Sequence, residues 1–469
     1  MALAGKSRQA RLATVELPDF GVPTEEPVIN PADYLNRYIA LLSRVSSESL
    51  DALVIYADRE HAANLSWLTG FDPRFEEALL VVVPNRTPTL LTGPENVGVA
   101  GTIPFDVNVV LYPPMGLMGQ DRKQTLPLPD LLSDAGISNS MTIGACGWKY
   151  YGPSESPQYE SWLELPAYVV DTLRDLVGQT GKVVNAGAIM MNPEDGLRSV
   201  NSIDELARYE FAACHTSESV KRVVLNSRPG MREYEAAQNL QSVGMPLSCH
   251  PMFSSGSRAW HGLLSPTSRV LKKGDAVTNA YGVQGALNCR AGWLANDAGD
   301  LPSGQQDYVE VLVRPYFEAV AEWLETIEIG VEGGVLDAII RKRLGDPFFG
   351  VHLNPGHLIH LEEWMHTPIY QGSTTKLRSG MAIQVDVIPA TGTPYFTTNM
   401  EDGIILLDSK GRSEFAEKYP QAMKRIEQRR AFMLEQLGIQ LKPDCLPLSN
   451  LAGWLPPFWL SPDQAMTMS

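Results

Sequence analysis

Half of the eight histidines in this chain of 469 residues fall in one stretch, VHLNPGHLIHLEEWMHTPIY, residues 351–370. His352, His357, His360 and His366 stand there, with Glu362 and Glu363 between them. Imidazole and carboxylate both ligate divalent cations, and imidazole also carries protons near neutral pH. The stretch therefore reads as a metal site, the remnant of one, or a histidine-rich strand and turn. The zinc-protease helix signature H-E-x-x-H is absent from it. Glu362 and Glu363 read as a solvated turn. Cys249 beside His250, and Cys289, are candidate nucleophiles. Neighbours in sequence seldom face each other usefully, however, and a small buried thiol is the commoner role. The glycines of GVEGG (330–334) lack the G-x-x-x-x-G-K-[ST] pattern that would cradle a phosphate.

The elements that must position these residues belong to an ordinary globular protein. Hydrophobic residues make up 44% and charged residues 20% of the chain, which excludes a disordered polymer. A net charge of −16 without a basic stripe argues against nucleic acid and leaves small molecules or peptides as partners. No segment approaches the length of a membrane span and the first residues have no signal-peptide core, so a cytoplasmic protein is expected. The five cysteines are odd in number and lack C-x-x-C spacing, so neither a disulfide framework nor a thiolate zinc site is indicated.

Four segments are expected along the chain. Residues 1–28 are a polar, proline-bearing arm. Residues 29–195 alternate helix with short apolar strands, ALVIYA (52–57) and ALLVVVP (78–84), and read as an α/β domain. Residues 196–437 open on a helix whose Ser202 and Glu205 form an S-x-x-E capping box. Helices near 306–327 and 334–344 follow, then strands around 381–389 and 402–409 and a helix near 414–436, an α+β order. Residues 438–469 form a tail whose Trp454, Phe458 and Trp459 are expected to be exposed and to anchor on a partner subunit.

In order along the second domain, SSGSRAWHGLLSPTSRVLKKGDAVTNAYG (254–282), the helix near 306–327, NPGHLIHLEEWMHTPIY (354–370) and LRSGMAIQVDVIPATGTPYFTTNMEDGIILLDSKG (377–411) resemble the creatinase/aminopeptidase P/prolidase family. ALVIYADREHAANLSWLTGF in the first domain is similar to that family's smaller amino-terminal domain. The resemblance implies an α+β protein with a pita-bread catalytic domain and a smaller α/β domain before it. In the family's metallopeptidases two aspartates on a hairpin, one histidine and two glutamates hold two metal ions. The corresponding positions here are Asn279 or Ala280, then Ala291, His357, Asp386 and Glu401. Both hairpin carboxylates are missing. Paired divalent cations need anionic oxygen to offset their repulsion, so a two-metal site is not expected, although His357, Asp386 and Glu401 could hold one.

Creatinase, the metal-free member, resembles the chain where the metallopeptidases do not. Its proton-transfer histidine falls on His261, separated from TSRVLKKGD (267–275) by a loop two residues longer than in creatinase. The resemblance implies that Asp386 and Glu401 accept N–H donors of a cationic or amide substrate, that His357 sits in the cleft, and that His360 and His366 line it. Arg290, or Arg74 beside Phe75 in FDPRFEE across a dimer interface, would replace a lost carboxylate anchor. Ala291 and Pro368 stand where creatinase has a glutamate and an arginine, so creatine itself is not the expected substrate. The reading is a homodimeric, creatinase-like hydrolase of a small molecule's C–N bond, without metal or other cofactor. Its competitors are a metal-dependent Xaa-Pro aminopeptidase or dipeptidase, and a catalytically silent binding protein on the same fold.

Overall fold

The computed structural model describes residues 8–241 and 243–469. They form two compact units: Ile29–Ser199, and Val200–Ser469 together with the residues before Ile29.

The unit Ile29–Ser199 is built on a six-stranded sheet in the order Asn108–Leu111, Thr89–Thr92, Ala78–Val82, Ala52–Ala57, Thr142–Cys146, Lys182–Asn185. The last three strands run parallel, and Ala52–Ala57 pairs antiparallel with Ala78–Val82. Both apolar runs read from the sequence are strands buried at every position, as expected of strands covered on both faces. Helix Ala167–Val177 turns Val169, Val170, Leu173 and Val177 into the core beside them.

The second unit carries the histidine stretch. Its seven-stranded sheet runs His357–Leu358, Ala382–Val385, Asn399–Leu406, Ala286–Trp293, Ala276–Val283, Met252–Ser255, with Cys445–Pro447 also paired to Asn399–Leu406. Every pairing is antiparallel. Helix Ile203–Asn226 lies against the hairpin Ala276–Val283/Ala286–Trp293. It starts at the capping box read from the sequence: Ser202 Oγ accepts from Glu205 N–H and Glu205 Oε2 accepts from Ser202 N–H at 2.8 Å. Because side chains alternate along a strand, one face of this sheet meets the helix and the other is free to line a cavity.

Three elements differ from the sequence reading, each for a local reason. The helix near 306–327 enters through a wide π turn, Val309–Val313, before Arg314–Thr326. Pro315 has no N–H to return to the carbonyl four residues back, which favours such an expansion. The helix near 414–436 is two helices, Ser409–Lys418 and Pro420–Glu435, divided at Pro420.

The third difference is the arm and tail, which are parts of the second unit. Ala10–Thr14 pairs antiparallel with Gln464–Met468. Trp454, Phe458 and Trp459, expected to be exposed, are 1%, 2% and 0% accessible. Trp459 N–H donates to Trp293 O at 2.8 Å, and its indole closes over Gly292, where a Cβ would come within 2.8 Å of the indole nitrogen. A hydrophobic residue near a terminus reads as exposed only while the strand it pairs with is unknown. Trp459→Ala should therefore cost about 3–5 kcal/mol, as truncation of a buried tryptophan does. An exposed anchor would change stability by no more than about 0.5 kcal/mol. Urea unfolding of the purified variant distinguishes the two.

Candidate functional site

The strand alternation fixes what reaches the cavity. Cys289 pairs with Glu401 and with Ala280, and Ala291 with Asn399 and Thr278, so these six side chains share one face. Asn279, Asn288, Arg290 and Asp402 belong to the opposite face. Asp386 follows strand Ala382–Val385, and His357 opens the short strand paired to it. The backbone before His357 requires glycine: Gly356 has φ 123°, and a Cβ there would lie 3.1 Å from Gln384 O, Ile369 Cδ1 and Trp323 Cζ2.

These strands bring one nitrogen and several carboxylate oxygens together. Candidate ligand atoms of His357, Asp386 and Glu401 all lie within 4.8 Å of one another, and all three residues are buried. His357 Nε2 is 3.9 Å from Asp386 Oδ2, 4.0 Å from Glu401 Oε1 and 3.1 Å from Glu363 Oε1. His357 Nε2, Asp386 Oδ1 and Glu401 Oε1 are buried without a geometrically well-formed hydrogen bond, although Glu363 Oε1 stands close enough to Nε2 to form an ion pair with it. His357 Nδ1 lies 3.3 Å from Leu358 O, so a proton on Nδ1 leaves the Nε2 lone pair directed at the carboxylates. Trp364 stacks on the imidazole at 4.0 Å.

Burial governs the protonation of the cluster. Burial pushes the Asp386 carboxyl up to about 6; His357 pulls it back and Glu363 adds to the rise. Glu401 is pushed well above the ordinary carboxylate range by burial, then by Asp386 and Glu363. For His357 burial acts downward, but Glu363 and Asp386 outweigh it and leave the imidazole raised. Without another positive charge, protons are retained to relieve the repulsion.

A cavity of about 440 Å³ opens over the cluster, lined also by Thr278, Ala280, Cys289, Asn399, Trp260, Phe396 and His261. His261 is exposed at its mouth. Of the residues expected to form the site, His261, His357, Asp386 and Glu401 are therefore gathered by the fold. Several others are not. Arg290 lies on the helix side of its strand, fully buried, with its guanidinium 2.8 Å from Asp402 Oδ2 and donating to Trp454 O and Leu451 O. His360 is turned to helix Ile203–Asn226, 3.8 Å from Glu205 Oε1 and edge-on to Tyr209. His366 accepts from Thr367 N–H at 2.7 Å and does not line the cavity. Arg74 lies in the unit Ile29–Ser199, paired to Asp72 at 3.0 Å, and the neighbouring Phe75 is 60% exposed. Neither is among the residues lining this cavity.

The sequence reading also passed over Glu363 as a solvated turn, although its carboxylate is the nearest to His357. An acid six residues beyond a candidate ligand was the only available signal, and reach across a turn cannot be judged from spacing. The cavity thiols fit the bland reading. Burial pushes Cys249 up to about 12 and Cys289 well above the ordinary thiol range, so both are protonated and poor nucleophiles.

Residues 207–412 match the model of metallopeptidase family M24. No curated protein matches the chain. Among solved structures it is similar to the prolidase of Pyrococcus horikoshii OT3, at 16% identity over 79% of this chain and 95% of that one, with TM-score 0.61. It is similar also to the Xaa-Pro dipeptidase of Bacillus anthracis (16% identity, 81% and 96% covered, TM-score 0.58) and the X-Pro aminopeptidase of Thermotoga maritima MSB8 (18% identity, 78% and 94% covered, TM-score 0.57). The fold is thus the pita-bread type with a smaller α/β unit before it.

The donor set fits one divalent cation and not a pair. One ligand atom from each of His357, Asp386 and Glu401 converges, an imidazole nitrogen and two carboxylate oxygens, which is a common cation set. On the hairpin, Ala280 and Ala291 turn methyl groups to that same face, while Asn279 faces away from it. The sequence reading expected no bound metal while allowing that His357, Asp386 and Glu401 could hold one ion, and the residues gathered here are suited to one.

The sign of the pH effect follows from Asp386. Its folded carboxyl holds a proton up to about 6, against 3.8 ordinarily, so it contributes stability that is complete below pH 4 and lost as pH rises through 6. The contribution is on the order of 2–3 kcal/mol. In chelator-treated protein, Asp386→Asn should flatten the fall in stability between pH 4 and 7 relative to wild type, as read by urea midpoints across that range. Parallel profiles would show that Asp386 does not hold this proton.

Proposed function

We propose that the chain, whose residues 207–412 match the model of metallopeptidase family M24, is a hydrolase of C–N bonds that works with a single divalent cation held by His357, Asp386 and Glu401. The observation that carries this reading is the set of three buried ligand atoms without hydrogen-bond partners, which costs free energy unless a cation or protons complete it. A cation bound there would polarise a carbonyl oxygen and make bound water acidic. The chain's own residues supply the remainder. Glu363, 3.1 Å from His357 Nε2, fixes that imidazole within the cluster. Trp364 shields that imidazole from water, and His261 at the mouth is an imidazole able to protonate a leaving nitrogen. The names of the similar structures make an Xaa-Pro peptide the first substrate to try.

A second reading is metal-free, creatinase-like hydrolysis with His261 as the proton-transfer group. The methyl groups of Ala280 and Ala291, where a metal pair would require carboxylates, favour it.

Metal content decides between them. On the first reading the purified protein carries about one divalent cation per chain, chelation abolishes hydrolysis, and His357→Ala weakens cation binding by roughly 10²-fold or more. Ala291→Asp should move the stoichiometry toward two. Full activity in metal-free protein, lost in His261→Ala, would establish the second reading instead.

A further inference from the structure

One side of the cavity mouth is built by a loop rather than by the strand ladder. Residues 256–266 leave the end of Met252–Ser255, the last strand of the sheet, and return at Thr267. On the way they bring Trp260, His261 and Leu263 to the cavity. All three side chains are exposed, so packing does little to fix them. A surface loop of this length keeps one shape only where its ends are tied.

A single carboxylate ties both ends. Glu233 is fully buried where the short helix Glu233–Ala237 begins. Its Oε1 accepts from Ser255 N–H at 3.0 Å and from the Ser255 hydroxyl at 2.7 Å, and its Oε2 accepts from Thr267 N–H at 2.9 Å and from the Thr267 hydroxyl at 2.7 Å. Four donors thus fill the lone-pair sites that a carboxylate offers. Arg258, within the loop, brings Nε to 3.3 Å from the same Oε2 and donates to Ser265 O at 2.8 Å. Arg269 supports the clamp from behind: it grips both oxygens of Asp275, at 2.7 and 2.9 Å, and donates to the Ser255 hydroxyl at 2.6 Å. Its guanidinium fills the space over Gly256, which has φ 57° and where a Cβ would collide with it. Neither Glu233 nor Arg269 is among the residues lining the cavity.

Resting on the hydrolase reading, in which His261 protonates the leaving nitrogen, we propose that Glu233 is a positioning residue of this site: acting through Ser255 and Thr267, its carboxylate pins the two ends of the loop and so holds His261 at the cavity mouth. A proton passes only within hydrogen-bond reach, so an imidazole displaced by about 1 Å costs rate far more than it costs binding. The clamp therefore acts on turnover without touching the substrate.

Two substitutions in the full chain loosen the clamp. Glu233→Gln turns one acceptor oxygen into a donor, and Thr267→Val removes a single half-buried hydroxyl at one end, so the second remains a test where the first fails to fold. Hydrogen–deuterium exchange, read by mass spectrometry on peptides spanning 253–267, should quicken by about tenfold in either variant while helix Ile203–Asn226 stays as protected as in wild type. Thr267→Ser, which keeps the hydroxyl, should restore the slow exchange. In hydrolysis of an Xaa-Pro peptide both loosened variants should lose about tenfold in kcat at nearly constant KM, and neither should lower the residual rate of His261→Ala further. Unchanged exchange in Thr267→Val, exchange quickened throughout the second unit, or a loss of kcat that adds to that of His261→Ala would overturn the proposal. Exchange is read without turnover, so a failure of the hydrolase reading is seen separately, as absent hydrolysis in a wild-type chain whose loop the same substitutions still loosen.

Discussion

Three carboxylates and one imidazole converge within a few ångströms in a place water hardly reaches, and the second unit is organised around tolerating that. At an effective dielectric constant near 20, two like charges about 4 Å apart repel by about 4 kcal/mol. Isolated side chains would separate. They stay together because their backbones are not free: His357, Asp386 and Glu401 sit on or beside three neighbouring strands of one hydrogen-bonded sheet. The ladder holds the repelling groups, and the repulsion creates the demand for a proton or a cation. On the hairpin, Ala280 and Ala291 present methyl groups rather than oxygen on that same face.

The same strands carry an opposite arrangement on their other face. Glu401 and Asp402 are consecutive, yet alternation sends one into the cavity with its Oε1 lacking a hydrogen-bond partner and the other against Arg290 at 2.8 Å. Asn288 beside them donates to Asp402 Oδ1 at 2.9 Å and accepts from the Thr216 hydroxyl of the long helix at 2.7 Å. Farther along that helix, buried Glu210 is met by Arg425 at 2.6 Å and Arg429 at 2.9 Å. Charge is satisfied on the helix side of the sheet and left unsatisfied on the cavity side. A buried pair is costly to break, so the helix side holds the sheet rigid while the cavity side stores unmet electrostatic demand.

The packed terminal segment belongs to the same construction. Phe458 bridges to Trp293 and Trp459 hydrogen-bonds to it, at the end of the hairpin strand that carries Cys289 and Ala291. Trp293 in turn meets Phe396 edge-on, so the last residues of the chain support the aromatic wall of the cavity through one intervening ring.

What could be read from residues alone was whatever depends on local pattern or on ordered motifs. The capping box at Ser202, the buried strands of the first unit and the placing of His357, Asp386 and Glu401 in one cleft are of this kind. So is the want of hairpin carboxylates, since an alanine is an alanine wherever it lies. Only the tertiary structure decided the rest. Arg290 and Asn279 left the candidate site because strand register, which no local pattern reports, turns them to the helix side. His360 was drawn to Tyr209 and Glu363 to His357 by contacts across a turn and between distant segments. Trp454, Phe458 and Trp459 are buried because the two ends of the chain pair with each other and with the sheet. Residue type and spacing travel with the chain, but the face on which a side chain emerges is a property of the strand beside it.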